Sequence, residues 1–430
     1  MKRHNLILVT MLLVVATYSS AQTTFQEVNQ NINYCSGLYY AYPTSLEIDE
    51  CEPPKGFNAF YISHYGRHGS RWLESEDSYL KPYKILLQAK KEGVLTMHGI
   101  SLLERLGLIC DDAKGRYGQL SSKGVLQLRG IAERMFLKYK SVFDGSNASI
   151  DSRSTTSSRC IISMAVFNER IKELNPSLHT KMDCGSDVQN ILAYRTPQAA
   201  SGYDDRFETW YPILQKFRMQ KCNYDRFFSS IFSDSNFLKN NYIDPMEFYY
   251  SLYKLYNTVQ NSDLNISLAD MFTPNELWNL WQVENLGEYF GMGSHPYFGK
   301  FYAASQSRLL MDFINKADEA ISKDKPFANF RFGHDSYITP LVILMGLKGC
   351  EYFTEDYENL YLNWSDFKIS PMAANVQWIF FKNKNNKVLM KVLMNESETL
   401  FNGLQPVIGP YYAWDDVRSF LLKRIEKNSL

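Results

Sequence analysis

Phe60-Tyr-Ile-Ser-His-Tyr-Gly-Arg-His-Gly-Ser-Arg-Trp72 is the stretch that decides the reading of this chain. An apolar, β-favouring run from Phe57 to Ile62 breaks into a turn punctuated by Gly66 and Gly69 and carrying His64, Arg67, His68 and Arg71. Two arginines flanking a histidine repel one another. A dianion between them relieves the repulsion, because guanidinium forks bind phosphate oxygens bidentately. A strand end opening into a loop is also where open α/β sheets place their ligands. Taken alone, the stretch reads equally well as an exposed basic turn, so the rest of the chain has to decide.

Two further strands end in the same kind of chemistry. Residues 148–152 form a short strand, followed by Arg153-Ser-Thr-Thr-Ser-Ser-Arg159 and a helix from Ser157 or Ser158 to about Leu174. Backbone N–H groups at such a helix start also favour anions. Residues 326–332 form another strand that stops at Gly333-His334-Asp335, with a helix over 338–347 beyond it. In a parallel sheet these three ends converge on one crevice.

The remaining texture sets the architecture. Apolar spacing predicts helices over 80–92, 100–110 and 120–139. The last is capped by Ser121 or Ser122, with Leu126, Ile131, Met135 and Phe136 on its buried side. Residues 301–322 read as one amphipathic helix, and 376–381 with 388–394 as a hairpin around Lys-Asn-Lys-Asn-Asn. A helix over 415–425 closes the chain. Residues 22–54, rich in Asn, Tyr and Pro, form an arm lying on the core. Residues 175–299 are aromatic-rich and helix-compatible, with no alternating strand pattern. The expected fold is therefore α/β, a three-layer sandwich with a mainly parallel sheet and a mostly helical insertion. Residues 22–174 and 300–430 would form the core and 175–299 a cap.

Forty-six basic and forty-six acidic residues cancel in the 430-residue chain, so no global field favours nucleic acid. Residues 1–21 read as a secretory leader: a basic start, an apolar run from Leu6 to Ala16, and small residues Ser19-Ser20-Ala21 before Gln22. That implies a periplasmic or secreted protein with no stable membrane insertion once the leader is cleaved. Seven cysteines are present. An exported chain can pair some of them, and Cys35 with Cys51 is the first pair to test. None has Cys/His metal spacing, so neither metal nor other cofactor is expected.

Arg67-His68-Gly69-Ser70-Arg71 resembles the N-terminal signature of the histidine acid phosphatases, a family that includes phytases and multiple inositol polyphosphate phosphatases. Leu73 stands where that signature usually closes with Pro. Gly333-His334-Asp335 resembles the family's second signature, and Leu120-Ser-Ser-Lys-Gly-Val-Leu-Gln127 its helix after Leu-Thr-x-x-Gly. Arg159 best matches the family's remote arginine, with Arg153 as second choice. Lys391-Val-Leu-Met-Asn-Glu396 looks like the inositol polyphosphatase branch, although that branch generally has His-Ala-Glu where this chain has His334-Asp335.

The resemblance implies that His68 attacks phosphorus and forms a phosphohistidine. Arg67, Arg71, Arg159 and His334 would bind the phosphate, and Asp335 would protonate the leaving group. Asp335 must start protonated, which suggests an acidic to neutral optimum. The expected partner is a phosphorylated small molecule, with phytate and other inositol polyphosphates foremost. A broad acid phosphatase on sugar or nucleotide monoesters is one alternative, and a non-catalytic exported binding protein for phosphorylated ligands is another. Lys172, Lys181, Arg195, Arg206, Lys216, Arg218 and Lys221 could face a polyanion or simply be solvated. Cys110 to Arg116 satisfies Cys-x5-Arg, but Asp111 and Asp112 lie where phosphate would sit. His64 reads as a packing residue, since the glycine turn breaks any helical pairing with His68.

Overall fold

The computed structural model describes residues 24–47, 49–144, 148–323 and 327–428, without the side chains of residues 197–207 and 327. The expected leader lies outside them. One sheet runs through the molecule, built from β1 (Phe57–Arg67), β2 (Ser149–Ser154), β3 (His179–Asp183), β4 (Phe327–Gly333), β5 (Asn375–Asn383), β6 (Val388–Met394), β7 (Ser397–Thr399) and β8 (Tyr412–Ala413). Its order is β3-β2-β4-β1-β5-β6-β7, with β8 also on β6. The first four strands in that order are parallel. From β5 onward the pairing is antiparallel.

β1 lies at the junction of the two halves, and its last seven residues are all buried. A strand covered on both faces needs apolar side chains in both directions. Ile62 accordingly packs with Ile379, Phe330 and the helices Ser122–Lys138 and Ser158–Leu174 on one face. Tyr61 and Tyr65 point to the other face, with Trp378 and the helices Ser307–Lys323, Asp335–Met345 and Trp414–Lys427. Three layers result.

The second core continues into the helical insertion. Helix Pro274–Met292 begins with a capping box between Thr273 and Glu276 and buries Leu277, Trp281, Leu286 and Phe290. It packs against helix Pro197–Lys221 and the 3₁₀ segment Ile32–Tyr39 of the N-terminal arm. Among the described residues no helix is long and apolar enough to cross a membrane.

Four expectations need correction. β3 falls inside the segment read as mostly helical and without strand alternation, so the central sheet reaches past residue 175. It is an edge strand, His-Thr-Lys-Met-Asp, largely exposed and without apolar alternation to betray it. Leu126 is 57% exposed. Gly124 and Gln127 take the inward positions near that end of the helix, facing the loop after β1. Residues 301–322 are two helices, Gly299–Ser305 and Ser307–Lys323. At the break the Ser305 hydroxyl donates to the Phe301 carbonyl and receives the Thr196 N–H, local bonds that compete with helix propagation. Finally, all seven cysteines are free thiols. Cys35 is buried within the 3₁₀ segment of the arm, where its carbonyl accepts the Tyr253 hydroxyl, whereas the carbonyl of exposed Cys51 holds Lys391 and Tyr411. Short sequence spacing did not bring that pair together.

Candidate functional site

Parallel pairing sets the distances in the crevice. Arg67 at the end of β1 is in register with Gly333 at the end of β4, and Ser154 of β2 with Phe332. The His68 N–H then donates to the Gly333 carbonyl (2.9 Å), and the Thr155 N–H to that of Phe332 (3.0 Å). The rings of His68 and His334 emerge side by side, with centroids 5.5 Å apart. Thus the three strand ends do meet, although Asp335 follows Arg67 by 268 positions along the chain.

The loop after β1 is pressed onto the start of helix Ser122–Lys138. Ser121 caps that helix by accepting the Gly124 N–H, and its own N–H and hydroxyl both donate to the Ser70 carbonyl. Gln127 accepts the Ser70 N–H at 2.8 Å. Only glycine fits at both contact points. A Cβ on Gly69 would lie 2.6 Å from the Gly124 carbonyl oxygen, and one on Gly124 2.3 Å from that of Ser70.

Each charged residue has a defined setting. Arg67 is fully enclosed. Its Nη1 donates to the carbonyls of Leu38 (2.6 Å) and Ser370 (2.7 Å), and its Nη2 pairs with Asp335 Oδ2 at 2.5 Å. Arg71 donates to the Trp72 carbonyl (2.9 Å) and stacks over Tyr39. Arg159 approaches His334 Nδ1 at 3.5 Å. One oxygen of Glu74, Oε1, lies 2.8 Å from Arg159 and 3.5 Å from Arg71. In all three arginines the Nε is buried and lacks a hydrogen-bond partner. Buried donors are rarely left so, because each orphan costs roughly 1–3 kcal/mol, more when charged.

Tautomers follow from the partners. His68 Nδ1 lies 2.9 Å from the Gly69 carbonyl, which can only accept, so Nδ1 carries the proton and Nε2 keeps its lone pair. Burial, then Arg67, Arg71, Arg159 and His334, push the His68 imidazole well below its ordinary range. It stays neutral in acid. For His334, Arg159 donates to Nδ1, leaving Nε2–H to meet Thr155 Oγ1 at 3.2 Å. Burial chiefly, with Arg159, Arg67 and Arg71 outweighing Asp335, lowers it to about 4. Burial would raise the Asp335 carboxyl, but Arg67, His334 and Arg71 prevail and hold it below the usual carboxylate range.

The other sequence candidates sort cleanly. Arg153 is turned away into an ion-pair ladder with Asp151 (3.0 Å) and Asp312 (3.3 Å), so Arg159 is the arginine that joins the cluster. His64 is packed among Phe167, Phe330 and Phe332. Cys110 is buried within its helix, and Arg116 stacks on Trp72. Lys172 caps the Leu178 carbonyl, Lys221 pairs with Glu358, and Lys181 and Lys216 are exposed. The Arg206 side chain falls outside the described residues. Arg195 lies over Tyr337, whose ring is 6.2 Å from that of His334. Arg218 stacks on Tyr250.

Some participants carry no sequence signal. The carbonyls of Leu38 and Ser370 act through the backbone, which any residue supplies. Glu74 is an ordinary surface carboxylate by sequence. Glu284 and Glu288, one turn apart on helix Pro274–Met292, are half-buried, and Glu288 senses the charges of Asp335 and Arg67. Burial raises both carboxyls, and for Glu288 the carboxylate of Asp335 adds to the shift.

No family model and no curated protein matches this chain. Solved structures do. The Bifidobacterium longum multiple inositol polyphosphate phosphatase without ligand matches with a TM-score of 0.74 at 19% identity, covering 90% of this chain and 97% of that one. Its phosphate complex matches with the same score at 18% identity, covering 92% and 100%. The phytase of D. castellii matches with a TM-score of 0.68 at 15% identity, covering 92% of this chain and 85% of that one. Hafnia alvei phytase scores 0.52 at 10% identity. These likenesses establish the fold, that of the histidine acid phosphatases, as the two signatures implied.

Proposed function

We propose that this chain is a phosphomonoesterase working through a phosphohistidine on His68. The observation that carries the reading is the set of three buried, unpartnered arginine Nε–H groups, of Arg67, Arg71 and Arg159, around a neutral histidine with its lone pair on Nε2. A phosphate dianion satisfies all three donors. Nε2 attacks phosphorus in line, the P–O bond to the leaving group breaks, and the electron pair departs with that oxygen. Asp335 supplies its proton. In the second step Asp335 takes a proton from water, the hydroxide attacks phosphorus, and the P–N bond breaks to return His68 and release phosphate. Asp335 is ionised in the empty site because Arg67 holds it. An arriving dianion competes for Arg67 and adds negative charge beside the carboxyl, and both effects favour its protonated form.

The substrate class we infer is inositol polyphosphates. The structural relatives include a multiple inositol polyphosphate phosphatase solved with inositol hexasulfate. Here Arg195 and Arg218 on the helical cap offer cations for further phosphates. The leader at residues 1–21 implies export, and a mature chain beginning at Gln22 is what N-terminal sequencing of secreted protein should read. The deciding experiment is turnover of p-nitrophenyl phosphate and phytate from pH 3 to 8, with His68→Ala alongside. Both substrates should release phosphate in acid and His68→Ala should release none. No turnover by the wild type, or a largely active His68→Ala, refutes the proposal.

A further inference from the structure

Arg67 owes its orientation to residues far from the loop that carries it. Both carbonyls that receive its Nη1 are tied to Asp366. The Leu38 N–H donates to Asp366 Oδ2 at 3.2 Å, and the Ser370 N–H donates to the Asp366 carbonyl at 2.8 Å. Asp366 is itself anchored. Its Oδ1 receives Trp281 Nε1 (2.9 Å) and the Phe367 N–H (2.8 Å), and its own N–H donates to Asn285 Oδ1 (2.9 Å). The turn before Leu38 is shaped to this contact. Gly37 adopts φ 53°, ψ −125°, and a Cβ there would lie 2.3 Å from Asp366 Oδ2. Only glycine brings the backbone so close.

The arm continues the grip along the loop. The Tyr39 carbonyl accepts Asn261 Nδ2 (2.8 Å), and Asn261 Oδ1 receives the Ser70 hydroxyl (2.6 Å). The Tyr42 carbonyl accepts Gln127 Nε2 (2.9 Å), and Gln127 in turn receives the Ser70 N–H. The Tyr39 ring underlies the Arg71 guanidinium at 5.4 Å. These tethers link residues 37–42 to the Arg67–Arg71 loop.

We propose that Asp366 is a positioning residue for phosphate binding, holding Arg67 through the Leu38 and Ser370 carbonyls, and that residues 37–42 are thereby part of the phosphate site. This rests on the phosphatase reading above. The discriminating variant is Asp366→Asn. Its remaining carbonyl can still accept from Trp281 and Phe367, but its amide presents N–H donors to the Leu38 N–H, so the hook fails where the anchor holds.

The measurement is the competitive inhibition constant of inorganic phosphate, together with kcat and KM for p-nitrophenyl phosphate and the melting temperature. A loosened guanidinium should weaken phosphate inhibition roughly 10-fold or more, since misplacements of about an ångström carry such penalties. KM should rise in parallel while the melting temperature moves by only a few degrees. If Asp366→Asn does not fold, Trp281→Phe decides, because it removes one donor to Oδ1 while leaving a smaller aromatic ring in place. It should show a smaller loss of the same kind. An inhibition constant within about two-fold of wild type in the folded variant overturns the inference, as does a loss confined to kcat. Wild-type protein that neither turns over substrate nor binds phosphate overturns instead the reading beneath it.

Discussion

Replacing His64 with leucine tests whether the core beside β1 holds a neutral histidine. The ring lies among Phe167, Phe330 and Phe332 at centroid distances of 5.3, 5.7 and 5.4 Å, and its Nδ1 is buried without a partner. Burial, helped by Arg331, lowers its pKa to about 3. In the unfolded chain a histidine titrates near ~6.5. Because the folded value is the depressed one, the stabilisation is complete above about pH 6.5 and drains away as pH falls toward the folded value. Those two values give a loss of about 2 kcal/mol between pH 7 and pH 5 from this residue alone. Leucine does not titrate, so the variant should lose about 2 kcal/mol less over the same interval. The change in shape costs up to about 1.5 kcal/mol at either pH and cancels from the comparison. Urea unfolding of both proteins at pH 7 and 5, followed by tryptophan fluorescence, supplies the four free energies. If wild type and variant lose the same amount, within about 0.5 kcal/mol, then His64 is not held neutral and the argument fails. The result matters for the acid phosphatase proposed above, since its own core would destabilise it at its working pH.

Three other outcomes are expected. Asp335→Asn should slow alkyl phosphates by roughly 10²–10⁴-fold and p-nitrophenyl phosphate far less, because only the poor leaving group needs the proton; equal losses in a leaving-group series would contradict the acid role. Glu74→Gln should tighten phosphate inhibition about two- to five-fold, since the exposed carboxylate competes for Arg71 and Arg159 through pairs worth about 0.2–1 kcal/mol each. A weaker inhibition constant would show that Glu74 helps to hold the ligand. Arg159→Gln should raise that constant roughly 10- to 100-fold, the value of a charge-assisted bond, whereas Arg153→Gln should leave it unchanged and lower the melting temperature. The opposite pattern would exchange the two arginines' roles.

The chemistry-bearing side chains were legible because strand ends concentrate them. Arg67, His68 and Arg71 follow an apolar run directly, and Gly333-His334-Asp335 stops another, so composition and position agreed. Arg159 needed a resemblance to be preferred over Arg153, and the two ion pairs of Arg153 explain why. What stayed hidden works through backbone or context. Leu38 and Ser370 contribute carbonyls, which leave no mark on residue type. Asp366 reads as one carboxylate among many until Gly37 is seen against it. β3 escaped because an exposed edge strand needs no apolar alternation, and the helix break at Gln306 because Ser305 makes it with bonds that depend on Thr196. The protonation state of Asp335 was also out of reach. Acid catalysis requires the proton, but the Arg67 pair that withholds it in the empty site is a matter of distance.

The two carbonyls on Arg67 Nη1 come from positions 29 and 303 residues away along the chain. Contacts of such separation form late, after the loop entropy between them has been overcome. Helices around the Arg67–Arg71 loop can therefore exist before the guanidinium is seated, and a chain ending before Ser370 would keep His68 but lose the Ser370 carbonyl. Catalytic competence thus serves as a report on completion. In refolding, the return of activity should trail the return of helical signal, and a nascent or truncated chain should be chemically silent however much of its secondary structure has formed.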